Sequence, residues 1–179
     1  LDEPSLGLNS SIIFTEEEIQ EALEIASRPC REMDCEVHLH SPLYAGLCAR
    51  VSGINILGLE SAAHPDYLRL IDRDLLEDTG TYLRAGIART DILALSAQLN
   101  DIYETNLWED LPRLESEILK MESPQVMKGR LDQAYSMFGE RLIATGPDCG
   151  LGSWPSQELA GDLLRNCSAA IASFRSEHL

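Results

Sequence analysis

Four side chains stand where a chain can carry chemistry: His38, His40, Glu60 and Cys149. Cys149 lies in Gly146-Pro147-Asp148-Cys149-Gly150-Leu151, a Gly- and Pro-containing turn placed where a strand meets a helix. Its thiol is therefore expected at the mouth of a sheet rather than sealed in a core. His38-Leu39-His40 ends one apolar, strand-like run, and Glu60 ends another, Ile54–Glu60. Residues two apart on a strand point to the same face, so both imidazoles can aim at one ion. Two His, one Glu and one Cys make a four-ligand set of mixed nitrogen, oxygen and sulfur donors suited to zinc. Taken alone, each has a plainer reading. A strand-end His is more often a hydrogen-bonded structural residue than a ligand, a terminal Glu is as often a surface carboxylate, and a lone Cys decides nothing. Independent accidents would not all fall at strand C-termini of one sheet, and three separate strands contribute.

The elements that must position these groups follow from periodicity and punctuation. Leu1–Pro4 reads as the tail of a strand. Thr15-Glu16-Glu17-Glu18 is a capping box that opens a helix to about Met33, with Ile19, Ala22, Leu23 and Ala26 on one face. Strands are expected at Glu36–His40, Ile54–Glu60, Tyr82–Ala88 and Arg141–Thr145. Helices are expected from Pro42 to Val51, Pro65–Leu76, Gln98–Met121, Gln125–Glu140 and Ser156–Ser176. This alternation predicts an α/β fold with a parallel sheet of right-handed βα units. No phosphate-binding Gly-rich fingerprint follows the first strand, which favours a (βα) barrel of TIM type over a dinucleotide fold. Five strand candidates fall short of the eight strands and about 250 residues of a whole barrel. The expectation is one domain over 1–179, the C-terminal half of an eight-stranded barrel, with a helical insertion near 98–121 packed down by Trp108.

Composition narrows the classes. The 179 residues are 44% hydrophobic and 25% charged, as in a globular protein. No run approaches the roughly 20 apolar residues that cross a bilayer, and no leader pattern is visible. The chain starts on a motif without an initiator Met, as a piece of a longer protein would. Fourteen basic against thirty acidic residues give a net charge of −16, which argues against nucleic acid and anionic membranes as partners. Cys30, Cys35, Cys48, Cys149 and Cys167 are odd in number and lack a CxxC pair, so a disulfide framework is not expected and a reducing, cytoplasmic location is.

Leu1-Asp2-Glu3-Pro4, the His-containing strand, Leu59-Glu60-Ser61 and Pro147-Asp148-Cys149-Gly150-Leu151 together resemble cobalamin-independent methionine synthase. The likeness is to its catalytic C-terminal barrel and the shorter core relatives. It extends to Trp154-Pro155 and a helix carrying Asn166-Cys167-Ser168-Ala169-Ala170. The resemblance implies methionine biosynthesis, with zinc binding homocysteine and a methyl group moving onto its sulfur. It implies His38, His40 (in place of a Cys), Glu60 and Cys149 as metal ligands, and Asp2 as the anchor of the substrate ammonium. An alignment slipped by two makes His40 the His ligand and puts Pro42 in the Cys position, leaving three ligands. With His40 as a ligand beside His38, the protein donors bring two negative charges rather than three. A bound thiol is then deprotonated more strongly but is a poorer nucleophile. The family's general-acid His has no counterpart; Asp91 is the nearest titratable group, read as a proton relay or a helix cap. The acidic folate contact is replaced near Leu8, which favours a methyl-corrinoid over a methyl-tetrahydropterin as donor. Arg89 is read as an ion-pair residue and His64 as a helix start.

The function expected is a zinc-dependent methyltransferase acting on a small thiol. Two alternatives stand beside it: a non-catalytic or partner-dependent half-barrel subunit, and a metal-free barrel like uroporphyrinogen decarboxylase. The partners expected are the thiol, a corrinoid protein, or a second chain completing the barrel, in a homo-oligomer.

Overall fold

The computed structural model describes Leu6 and residues 14–178. Asp2, Leu8 and the strand tail expected at Leu1–Pro4 lie outside these residues. α1 (Glu16–Ser27) opens on the expected capping box: Thr15 Oγ1 accepts from the Glu18 N–H, and the Glu18 carboxylate accepts from the Thr15 N–H at 2.8 Å. It ends before Met33, because Pro29 lies in a 3₁₀ turn, Arg28–Cys30, that takes over at Ser27.

The strands are β1 (Glu36–Leu39), β2 (Ile56–Leu59), β3 (Tyr82–Ala88) and β4 (Leu142–Pro147). They form one parallel sheet in the order β1-β2-β3-β4. With right-handed crossovers, an order that never reverses keeps the connecting helices on one face. The sequence pattern agrees: Val37, Leu39, Leu59, Leu83, Ala85 and Ile87 alternate along their strands and are fully buried. Over β1 and β2 this face packs with Ile19 and Leu23 of α1 and Phe138. At the end of β3, Ile87 joins Leu95, Ile118, Met127, Leu163 and Ala170. Each large side chain so buried contributes about 1.5–3 kcal/mol of transfer free energy. The opposite face carries Glu36, His38 and Arg84, so the sheet is apolar behind and polar in front. The architecture is α/β, consistent with part of a (βα) barrel.

Two expected helices are each divided. In place of Pro65–Leu76 there is a 3₁₀ helix, Pro65–Leu70, and then α3 (Arg73–Thr79). Ile71 is extended, and Asp72 restarts the helix by accepting from the Asp74 and Leu75 N–H groups. In place of Gln98–Met121 there are α4 (Ile92–Tyr103) and α5 (Leu111–Met121). Glu104 turns left-handed at φ 51° to close α4, and Asp110 caps α5. Trp108 Nε1 donates to Ser96 Oγ at 3.0 Å and ties the connection down. The Pro42 segment is a 3₁₀ turn, Pro42–Tyr44, followed by the short α2 (Ala45–Cys48). α6 (Pro124–Phe138) and α7 (Gln157–His178) fall close to expectation. Among the described residues, no helix is long and apolar enough to cross a membrane.

Candidate metal centre

His38 is on β1, His40 one residue past its end, Glu60 one past β2 and Cys149 two past β4. Leu39, between the imidazoles, is buried in the core, which sends both rings to the polar face. One donor atom from each of the four residues lies within 4.8 Å of the others. His40 Nδ1 stands 2.8 Å and His38 Nε2 3.5 Å from the same oxygen, Glu60 Oε1, and the two rings meet edge-on with centroids 4.9 Å apart. The His and Glu side chains are 14–18% exposed, whereas Cys149 is exposed at the rim.

These distances test the fit of an ion. Tetrahedral bonds of about 2.0–2.3 Å set donor–donor edges of about 3.3–3.8 Å. The 3.5 Å pair already matches, the 2.8 Å ion pair must open, and the widest pairs must close by about 1 Å. Among the described residues His38 Nε2 is buried with no hydrogen bond of good geometry, and Glu60 Oε1 stands 3.5 Å from it. A buried nitrogen left unmatched costs about 1–3 kcal/mol, and a metal ion removes that cost. Burial pushes the Glu60 carboxyl up, but His38, His40 and the Cys149 thiol outweigh it and hold it below the usual carboxylate range. The donors fit a divalent cation.

Asp148 fastens this constellation, and reading the chain alone did not single it out as a positioning residue. It is 2% exposed, and its two oxygens accept from the Ala62 N–H at 2.9 Å and the Ala63 N–H at 2.8 Å. Those amides follow Glu60, and Cys149 follows Asp148, so one carboxylate joins the two ligand-bearing turns across β3. The crossing needs Gly86: a Cβ there would stand 1.8 Å from Asp148 Oδ1. Ser61 Oγ donates to the Gly86 carbonyl at 2.9 Å, and Trp154 Nε1 to the Thr90 carbonyl at 3.1 Å, closing the turn on the other side of Cys149. The signal in the sequence was Asp148 itself, placed inside the turn motif, and a glycine interrupting an apolar strand.

The remaining expected residues divide. Asp91 holds the N-cap position of α4 without a side-chain cap bond, and both its oxygens accept from Arg89, at 3.0 and 2.7 Å. Arg89 is thus the ion-pair residue expected, and also donates to Gln98. His64 precedes the Pro65 helix and stacks on Tyr67 at 4.7 Å. Asp2 lies outside the described residues. Pro42 is buried in its 3₁₀ turn. Beneath the Arg89 turn, Glu122, 1% exposed, accepts from Arg130 through both oxygens and from the Arg89 N–H, a fully paired buried charge.

Fold and site together define a parallel α/β protein with a His–Glu–Cys group able to hold a metal ion. Comparison with models of known protein families, with curated proteins and with solved structures finds no match to this chain.

Proposed function

We propose that the chain is the zinc-dependent, thiol-methylating half of a methionine synthase-like (βα) barrel, moving a methyl group to a small thiol such as homocysteine. The observation that carries this reading is the convergence of His38, His40, Glu60 and Cys149 from three strand ends, with His38 Nε2 buried and lacking a hydrogen bond among the described residues. Zn²⁺ held by these four would supply the Lewis acidity that keeps a substrate thiol deprotonated and positioned near neutral pH. Glu60 and Cys149 would bring the two negative charges that offset the ion, and both imidazoles would hold it through a ring nitrogen. Asp148 keeps the Glu60 and Cys149 turns at a fixed separation. Asp91, tied to Arg89, would take up the thiol proton only if that ion pair opens. The donor of the methyl group is a methyl-corrinoid or, second, a methyl-tetrahydropterin.

A second reading has its own support: β1 and β4 are edge strands among the described residues, and the front face of the sheet is polar. A partner chain, whether a second copy or a corrinoid carrier, would complete such a sheet. The test begins with metal analysis of the purified, reduced chain. One zinc per chain is expected, lost in Cys149→Ala, together with demethylation of methylcobalamin by homocysteine. A chain that refuses zinc overturns the proposal and leaves the metal-free barrel; zinc without methyl transfer until a partner is added, with mass in solution rising, selects the second reading.

A further inference from the structure

The donor cluster shares a wall with an open cavity of about 380 Å³ lined by Glu36, His38, Arg84, Asp148, Cys149 and Gly150. Of these six, Arg84 carries the fixed positive charge. It stands on β3 between Leu83 and Ala85, both buried in the core, so its side chain must lie on the front face. Arg84 Nη2 donates to the Pro147 carbonyl at 2.6 Å, just before Asp148 and Cys149. Gly146 makes room for it, since a Cβ there would sit 3.3 Å from that nitrogen. The other arm is different. Arg84 Nη1 is buried and has no hydrogen-bond partner among the described residues, and the nearest carboxylate oxygen paired with it, Glu36 Oε1, is 3.8 Å away. That separation is an ion pair but too long for a hydrogen bond.

A guanidinium fixed by one arm, with an unmatched donor on the other, is preorganised for a carboxylate, whose oxygens match its planar fork. A protein of net charge −16 repels anions in general, so an anionic substrate needs a dedicated cation at the site. Building on the thiol-binding reading, we infer that Arg84 anchors the carboxylate of the thiol substrate, so the site selects carboxylate-bearing thiols over neutral ones.

The test uses the Co²⁺-loaded chain and the sulfur-to-cobalt charge-transfer band, titrated with homocysteine and with homocysteine methyl ester. A charge-assisted hydrogen bond implies a preference for the free acid of about 10- to 100-fold. Arg84→Gln, checked for unchanged Co²⁺ stoichiometry, should bring the two affinities within about twofold of each other. Arg84→Lys, a point charge without the fork, should retain part of the preference. Equal binding of acid and ester by the parent chain, or a preference that survives Arg84→Gln, overturns the inference while leaving the thiol site intact. A chain that takes up no Co²⁺, or shows no thiol-dependent band, removes the thiol-site reading and this inference together.

Discussion

Replacing Gly86 by Ala should damage both the fold and the metal centre, and the structure gives the scale. The added Cβ would lie 1.8 Å from Asp148 Oδ1, 2.9 Å from its Cγ and 3.1 Å from its Cα. The last of these is backbone, so rotating a side chain cannot clear the clash. Nor can the backbone easily retreat, because the Asp148 N–H is bonded to the Ala88 carbonyl at 2.8 Å and the strand pairing continues behind it. Overpacking of this kind costs about 1–3 kcal/mol. Driving the Asp148 carboxyl off the Ala62 and Ala63 amides adds a loss of about 0.5–1.5 kcal/mol for each bond, rising toward about 1.5–3 kcal/mol above about pH 7 where the group is ionised, part of it returned as it regains water. A net destabilisation of about 2–4 kcal/mol is expected. Because Asp148 links the turns of Glu60 and Cys149, zinc affinity should fall about 10- to 100-fold, as for other residues that orient metal ligands. Gly129→Ala is the matched control. It lies within α6 with nothing inside 4 Å of the new methyl group, so it should stabilise by about 0.5–1 kcal/mol. Urea unfolding followed by circular dichroism, and competition for zinc with a chromophoric chelator, measure both quantities. If Gly86→Ala unfolds at the parent midpoint and binds zinc equally well, the bridging role of Asp148 is wrong.

In the metal-free chain, burial pushes the Asp148 carboxyl up to about 7, against the pull of the Ala62 and Ala63 amides. The folded state then holds a proton that the unfolded chain releases. The stabilisation is complete below the unfolded value near 3.8 and is lost as pH rises through about 7, by at most about 4 kcal/mol. Glu60, held low, runs the other way: its contribution is present above the unfolded value and lost as pH falls through the folded one. Asp148→Asn should therefore lower stability, by setting an amide NH₂ against a backbone N–H, while flattening the fall between pH 4 and 7; an unchanged slope there would refute the assignment. Glu122→Ala strands the partly buried Arg130 guanidinium and the Arg89 amide, and should cost about 3–5 kcal/mol in urea unfolding, with Glu122→Gln costing less.

How much of this was legible in the chain depends on the range of the interaction. Period-two alternation through Glu36-Val37-His38-Leu39-His40 places both imidazoles on the face opposite Leu39, and the structure puts them there. β3 runs over Tyr82–Ala88, the span its apolar pattern indicates. β2 is shorter than its apolar run: at its start the Asn55 side-chain oxygen, rather than a backbone carbonyl, accepts from the Cys35 N–H at 2.6 Å. The helix breaks have a local cause: Asp72 and Asp110 are caps that restart a helix within a stretch whose apolar spacing continues across the break. Arg84 had no such local signature, and the turn motif that holds Asp148 did not show which amides it reaches. Each depends on which residues of separate strands stand side by side, and that register is set by the packed sheet rather than by any one segment.

The glycines explain why a polar site can occupy the face of a parallel sheet, a setting usually buried and apolar on both sides. A side chain crossing from one strand toward the next-but-one must pass over the strand between, and any Cβ there blocks it. Gly58 on β2 leaves that gap for Glu36, whose Oε1 lies 2.1 Å from where a Cβ would be; Gly86 on β3 does so for Asp148; Gly146 on β4 leaves room for Arg84. Glu36, from β1, thereby comes within 3.8 Å of Arg84 on β3, and Asp148, from the end of β4, reaches the turn after β2. The polar groups are thus connected in two rows across the strands, one ending at the candidate metal ligands and one at the guanidinium. Filling the gap at Gly58 should break its own row first, so Gly58→Ala is expected to displace the end of the Glu36 side chain while leaving zinc affinity closer to the parent value than Gly86→Ala does. Equal loss of zinc in both variants would show that the rows are a single unit, and that the metal centre depends on the whole front face rather than on the Asp148 bridge.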